Sequence, residues 1–311
     1  MGEVGDEQMF LRATGRSFVG LSAELERSWR GPFYFAMGAD PQLGLWDAWS
    51  RGACGTSGTM WERELALTHE AVRALNLLRP RPRFLTLCGD LVHDMPGQPK
   101  RNEQMKDLRN ALRNLDPAIP LVLVPGNHDL GNEPTTESIA SFRHAWGDDY
   151  FAFWVGGVRF LVLNSQLFVS TKACQREGEE HNNWLGKELA ECTEAKKVGK
   201  DPQHVIVLQH IPLFLSTANE EDGYFNIPLD LRHQLIEKFQ QAGVTAVLAG
   251  HYHRNAGGSV GPIEMIVSSA MGCPLGQDPP GLRLVTVTKE SIHHSYYAMD
   301  KIPTQIDLGP C

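Results

Sequence analysis

The sequence predicts an α/β fold built on a largely parallel centre. Two observations carry this reading. Short apolar runs, β-branched or leucine-rich and bounded by Gly or Pro, alternate with amphipathic stretches along most of the chain, as strands buried on both faces and their crossover helices do. The adjacent glycines Gly156 and Gly157 separate "YFAFWV" from "VRFLVLNS", which marks an antiparallel hairpin. Two kinds of strand pairing therefore coexist, and a second, mixed sheet follows.

The elements are expected in this order. Residues 1–31 mix charges and aromatics and read as an arm, helical in character, packed on a single domain spanning 32–311. Strands are expected at 32–38, 83–88, 120–124, 205–209 and 245–249. Helical patterns cover 61–78, 101–115, 185–197 and 229–242. The closing runs "IEMIVSSA" and "LRLVTVTKESIHHSYYAM" read as further antiparallel strands. Residues 169–183 and 216–228 read as long polar loops, a common place for function in a compact domain.

Composition narrows the function. The chain has 311 residues, 42% of them hydrophobic and 21% charged, with a formal net charge of −8. No Lys/Arg-rich block stands out, so no electrostatic footprint for nucleic acid exists. No stretch has transmembrane length and the first residues lack a signal-peptide core, so no membrane partner is expected. The chain opens Met-Gly, but Asp6 breaks the myristoylation pattern. Six scattered cysteines without a CxxC pair read as incidental reduced thiols of a cytoplasmic protein.

Five apolar runs end alike, in a residue able to bind metal or phosphate. They deliver Asp40 in "GADPQ", Asp90 in "GDLVHD", Asn127, His128 and Asp129 in "GNHD", His210 in "VLQHIP", and His251 with His253 in "GHYH". The carboxyl ends of strands line the ligand crevice of an α/β sheet, so these distant residues should converge. A pair of divalent cations needs a shared carboxylate plus a few oxygen or imidazole donors each. Asp, Asn and neutral His supply those, whereas thiolates select softer metals. Glycines precede Asp90, Asn127 and His251 and allow close backbone approach.

This ordered series resembles that of the calcineurin-like metallophosphoesterases. The resemblance spans residues 40 to 253 and implies a four-layer fold: two mixed β-sheets packed face to face and flanked by helices. It implies that Asp90 bridges two divalent cations (Mn, Fe, Zn or Mg). Asp40 and His253 then belong to the first cation, and Asn127, His210 and His251 to the second. His128 contacts phosphate and protonates the leaving oxygen, with Asp129 orienting its imidazole. Asn127 joins His128 as a candidate substrate contact, and Tyr252, between the two histidines of "GHYH", is a further one if it points into the cleft and not into the core.

Two positions depart from the pattern. Gln42 stands where the family usually has a metal-binding histidine. It binds through its amide oxygen, acts through water, or only hydrogen-bonds its loop. It is kept here among the metal ligands of a re-tuned site. His93 lies in "GDLVHD", without the arginine of the main serine/threonine phosphatases. It is a second phosphate-facing imidazole or packs on the His128 loop, and counts as a catalytic candidate. His69, His144, His293 and His294 read as ordinary helix or sheet residues.

The implied reaction is hydrolysis of a phosphomonoester, a phosphorylated protein or a small phosphate ester, by water activated at the metals. A serine/threonine protein phosphatase is the favoured form. A cyclic-nucleotide or other phosphodiesterase uses the same ligands and stays open. So does a catalytically weak metal-binding scaffold using its long loops for protein contacts, with Gln42 as its main support.

Overall fold

The computed structural model describes residues 10–199 and 202–309. The first elements are the short strands β1 (Ala13–Thr14) and β2 (Ser17–Phe18), the single turn α1 (Ala23–Glu26), β3 (Phe33–Gly38) and α2 (Leu45–Ser50). Then come α3 (Glu62–Leu77), β4 (Leu85–Cys88), α4 (Arg101–Leu112), β5 (Leu121–Val124), α5 (Asn127–Leu130) and α6 (Thr136–Trp146). The hairpin β6 (Phe151–Val155) and β7 (Val158–Val162) leads into α7 (Gln166–Val169), α8 (Gln175–Lys197) and β8 (Val205–Leu208). The chain finishes with α9 (Leu229–Ala242), β9 (Val244–Ala249), β10 (Ala256–Val260), β11 (Ile263–Val267), β12 (Gly281–Val287) and β13 (Ile292–Ala298).

These strands make two mixed sheets. One has the order β13-β12-β3-β4-β5, the other β10-β11-β9-β8-β7-β6. In the first, β3, β4 and β5 run parallel, and β12 returns antiparallel beside β3. In the second, β7, β8, β9 and β11 run parallel, with β6 and β10 antiparallel at the edges. Every residue of β3, β4, β5 and β8 is buried, which their unbroken apolar runs require.

Three apolar clusters account for four layers. Between the sheets, Phe35 stacks on Phe84 at 4.5 Å, and Phe160 meets both edge-on at 5.5 and 5.1 Å. Phe153 from the hairpin stacks on Phe160 at 4.9 Å and meets Phe84 edge-on at 5.3 Å. Offset and edge-on pairs add to plain burial, so this aromatic knot fixes how one sheet sits on the other. Outside the first sheet, residues of α3, α4 and α6 close a second cluster, and α8 with α9 closes a third outside the second sheet.

Two sequence expectations change. Residues 169–183 are not one long loop: α8 begins at Gln175. Its polar text hides a narrow apolar stripe, because Gly178, His181, Leu185, Leu189 and Cys192 are buried at spacings of three and four. The arm before β3 is not helical apart from the one turn of α1; residues 1–9 of it lie outside the described residues. Its described part runs along β6, where Ala152 N donates to Arg16 O and Trp154 N to Leu21 O, and Phe18 is buried between the sheets. The loop at 216–228 does lack helix and strand. Five described cysteines are free, and Cys311 lies outside the described residues. Among the described residues no helix is long and apolar enough to cross a membrane.

Phe84 sits at the centre of the knot with no exposed surface. Replacing it with Ala should cost about 3–5 kcal/mol of unfolding free energy, the range for truncating a buried Phe that its neighbours cannot refill. A urea titration reads this as a lowered midpoint; a loss under about 1 kcal/mol would show that the sheets pack without the knot.

Candidate metal centre

β3, β4, β5, β8 and β9 end on one edge of the stacked sheets, and the residues just past those ends meet there. Main-chain bonds splice the ends together. Asp40 N donates to Gly89 O at 3.1 Å, Gln42 N to Asp90 O at 3.0 Å, and Gly250 N to His210 O at 3.1 Å. The last of these joins two ends of the second sheet, and His210 Nδ1 crosses between sheets to Cys88 O at 2.8 Å.

The backbone is bent hard to bring the side chains inward. Among the described residues six non-glycines have positive φ, and five of them are Asp40 (49°), Gln42 (36°), Asp90 (52°), His251 (68°) and His253 (55°). Each such conformation costs of the order of 1–3 kcal/mol and persists only where the surroundings impose it. Two glycines make the approach possible. A Cβ at Gly89 would lie 2.3 Å from His210 Nδ1, and one at Gly126 would lie 2.2 Å from Asp90 Oδ1.

The donors fall into two groups that share one member. Asp90, His210 and His251 point ligand atoms within 4.8 Å of one another, and so do Asp40, Asp90 and His253. All five are buried. His210 Nε2 lies 3.3 Å from Asp90 Oδ2 and 3.1 Å from Asn127 Oδ1, which adds Asn127 to the first group. The Asn127 amide is oriented by its other end, since Nδ2 donates to Asn132 Oδ1 at 3.0 Å and to Tyr224 Oη at 3.1 Å. In the second group His253 Nε2 lies 3.3 Å from Asp40 Oδ1. The Asp40 carboxylate also accepts from His251 N at 3.1 Å.

Each imidazole is fixed through its far nitrogen to a carbonyl, as metal-binding histidines commonly are. His210 Nδ1 donates to Cys88 O, leaving Nε2 inward. His253 Nδ1 donates to Cys273 O at 2.6 Å, also leaving Nε2. His251 Nε2 donates to Tyr224 O at 2.9 Å, leaving Nδ1.

Electrostatics point the same way. Burial acts to raise the Asp90 pKa, but the His210 and His128 imidazoles outweigh it and hold the carboxyl well below the usual range. Burial acts to lower the His210 pKa, yet Asp90 and Asp40 lift it to about 9. Burial, then the neighbouring His210, drives His251 down to about 3, so it stays a neutral donor. A proton on His210 thus does part of a cation's work between two buried carboxylates. Gln42 is 1% exposed, and its Oε1 is buried without a hydrogen-bond partner. A buried orphan oxygen lining the same cleft as Asp90 and His253 fits a hard cation or its water. The residues present therefore suit divalent metal.

The remaining expected residues divide. His128 lines the cleft, its N donates to Asp90 Oδ1 at 2.8 Å, and its Nδ1 bonds His93 O. Asp129 does not orient that imidazole. Its carboxylate accepts from Gly126 N at 2.8 Å and Leu91 N at 3.2 Å and holds the Asp90 and Asn127 turns together. Burial and the Asp90 charge push its pKa up. His93 is buried, bonds Thr56 O through Nε2 and stacks on His128 at 5.0 Å; it supports that ring and does not line the cleft. Tyr252 also stays outside, its ring edge-on to Phe225 at 5.2 Å.

Two residues went unseen in the sequence. Tyr224 touches both Asn127 and His251 from the 216–228 loop. Arg101, 7% exposed, donates to Asp94 O, His128 O and Asp129 O at 2.7–2.8 Å, tying the two phosphate-side turns to α4. Neither sits in a motif. The only sequence signal for Tyr224 was the length and polarity of its loop.

Gly126→Ala should drive its new Cβ into the Asp90 carboxylate. Calorimetric titration with manganese should show affinity reduced about 10–100-fold, the size of effect seen when support of a ligand is lost, with the far-UV spectrum retained. Wild-type affinity in the variant would mean that Asp90 need not stand where it does.

Residues 64–255 match the calcineurin-like phosphoesterase family. The serine/threonine-protein phosphatase CPPED1 of Danio rerio is 53% identical over 297 residues, covering 96% of this chain and 94% of that protein. The Homo sapiens protein of the same name is 52% identical over 295 residues, covering 94% of this chain and 92% of that protein. Among solved structures, a purple acid phosphatase from yellow lupin seeds overlays with a TM-score of 0.60 at 15% identity, covering 88% of this chain and 52% of that one. A dimetal phosphatase from Danio rerio overlays with a TM-score of 0.55 at 17% identity, covering 86% of this chain and all (100%) of that one. Such distant overlays speak for the four-layer fold, while the sequence matches speak for descent. This chain belongs to the calcineurin-like phosphoesterases.

Proposed function

We propose that the protein is a serine/threonine protein phosphatase working with two divalent cations that share Asp90. The observation that carries this reading is the membership of one buried carboxylate in two ligand groups. Asp40, Gln42 and His253 complete one set, and Asn127, His210 and His251 the other. The mixed oxygen and imidazole donors suit manganese, iron, zinc or magnesium. Relatives named as serine/threonine-protein phosphatases over nearly the whole chain support the substrate class.

Asp40, Gln42, Asp90, Asn127, His210, His251 and His253 would hold the cations, which would neutralise phosphate oxygens and lower the pKa of the attacking water. The chain's own residues do the rest. The strained turns preset the donors, so no rearrangement accompanies substrate binding. The main-chain N–H of His128 donates to Asp90 Oδ1 and favours its ionised form. His128 is held at Nδ1 by the His93 carbonyl and braced by the His93 ring, which leaves Nε2 to deliver a proton to the departing serine or threonine oxygen.

Protein stripped with chelator should not hydrolyse a chromogenic phosphate monoester, and manganese should restore turnover. His128→Ala should lower kcat by about 10²–10⁴-fold with manganese binding retained, as loss of a general acid does. Gln42→Ala should weaken manganese binding and leave the His128-dependent step in place. Folded, metal-loaded protein with no turnover would contradict the reading. Turnover of diesters alone would move it to the diesterase.

A further inference from the structure

The cleft over the metal centre has two unlike parts. Its floor is polar, with Gln42, Asp90, His128, His251 and His253. Its rim is largely apolar, with Trp49, Met95, Tyr224, Phe225 and Leu275 beside Asn132 and over the buried Leu45. No lysine or arginine lines it among the described residues. A phosphate group needs only the floor and gains nothing from six apolar neighbours.

Two rim residues keep much of their surface in water. Trp49 is 47% exposed and Tyr224 is 59% exposed. Both are nevertheless held firmly. Trp49 lies on α2, directly after the turn that carries Asp40 and Gln42. The Glu64 carboxylate accepts from Gly44 N at 3.2 Å and Trp46 N at 2.8 Å at the start of that helix. Asp47 at its centre accepts from Thr59 N at 2.7 Å. The Tyr224 loop is gathered around the Glu220 carboxylate, which accepts from Leu215 N, Ser216 N, Thr217 N and Asn226 Nδ2. Exposed aromatics on a fixed backbone lose little freedom on binding, the usual property of a recognition surface.

We propose that this rim is a subsite for one large apolar side chain of a phosphopeptide, beside the phosphorylated serine or threonine; the inference rests on the phosphatase reading above. Size supports it: the cleft of about 280 Å³ leaves room beyond the phosphate for roughly one side chain. Charge supports an apolar flank. An acidic neighbour would find no cation on the rim and would meet a chain of net charge −8.

The test uses manganese-loaded protein and peptides carrying a non-hydrolysable phosphonate, flanked by Leu, Gly or Glu. Fluorescence anisotropy should show the Leu peptide bound about tenfold tighter than the Gly peptide, the scale expected for burying one such side chain, and the Glu peptide weakest. Trp49→Ala should bring the Leu-to-Gly ratio close to one, and Trp49→Phe should keep most of it. Equal binding of Leu and Gly peptides, or a ratio untouched by Trp49→Ala, would overturn the proposal. Hydrolysis of 4-nitrophenyl phosphate is followed in parallel. Turnover without a Leu preference removes the subsite and spares the phosphatase reading. A Leu preference without turnover of any monoester removes the phosphatase reading and spares the subsite.

Discussion

The arrangement depends on keeping one nearly buried carboxylate charged at the floor of the cleft. Asp90 is 2% exposed, and burial alone would protonate it. Positive partners prevent that, and the rest of the centre is a consequence. His210 faces it from the other sheet, His128 N donates to it, and the glycine at 126 leaves it space. A site so built is short of positive charge: with Asp40 and Asp129 there are three buried carboxylates within one cluster. Arg101 lies behind Asp129 and cannot reach the cleft side. Divalent cations, which the ligand groups suit, would resolve the imbalance.

The two-sheet architecture supplies the precision. Asp40, Asp90 and Asn127 follow strands of one sheet, while His210, His251 and His253 follow strands of the other. Their relative positions are therefore set by how the sheets stack, which the Phe35, Phe84, Phe153 and Phe160 knot fixes. The same division explains why five left-handed residues are tolerated in one small region. Their strain is offset by an extensive core below, and it leaves the donors no alternative pose.

Much of this was legible from the residues. The strand ends and their donors were readable because each motif is local: an apolar run, a glycine, then a ligand. What escaped was what depends on packing between distant segments. Asp129 looked like a partner for the His128 ring, but that ring turns to the His93 carbonyl, and the carboxylate is taken by two main-chain N–H groups. Tyr252, between two histidine donors, looked like a cleft residue; the alternation along the turn sends it to the Phe225 side. Tyr224 comes from a loop whose path no periodicity reveals, and Arg101 reaches the site from the start of α4 by contacts that no motif marks. Helix α8 was half hidden because a polar surface helix needs only a thin apolar stripe.

The most direct test of the account is a count of bound metal. Manganese titration by calorimetry, checked by elemental analysis, should find two ions per chain in the wild type. His251→Ala should lose one of them. Asp90→Ala should lose both, because that carboxylate belongs to both groups. An Asp90→Ala protein that still holds a tightly bound ion would contradict the shared role on which the whole reading stands.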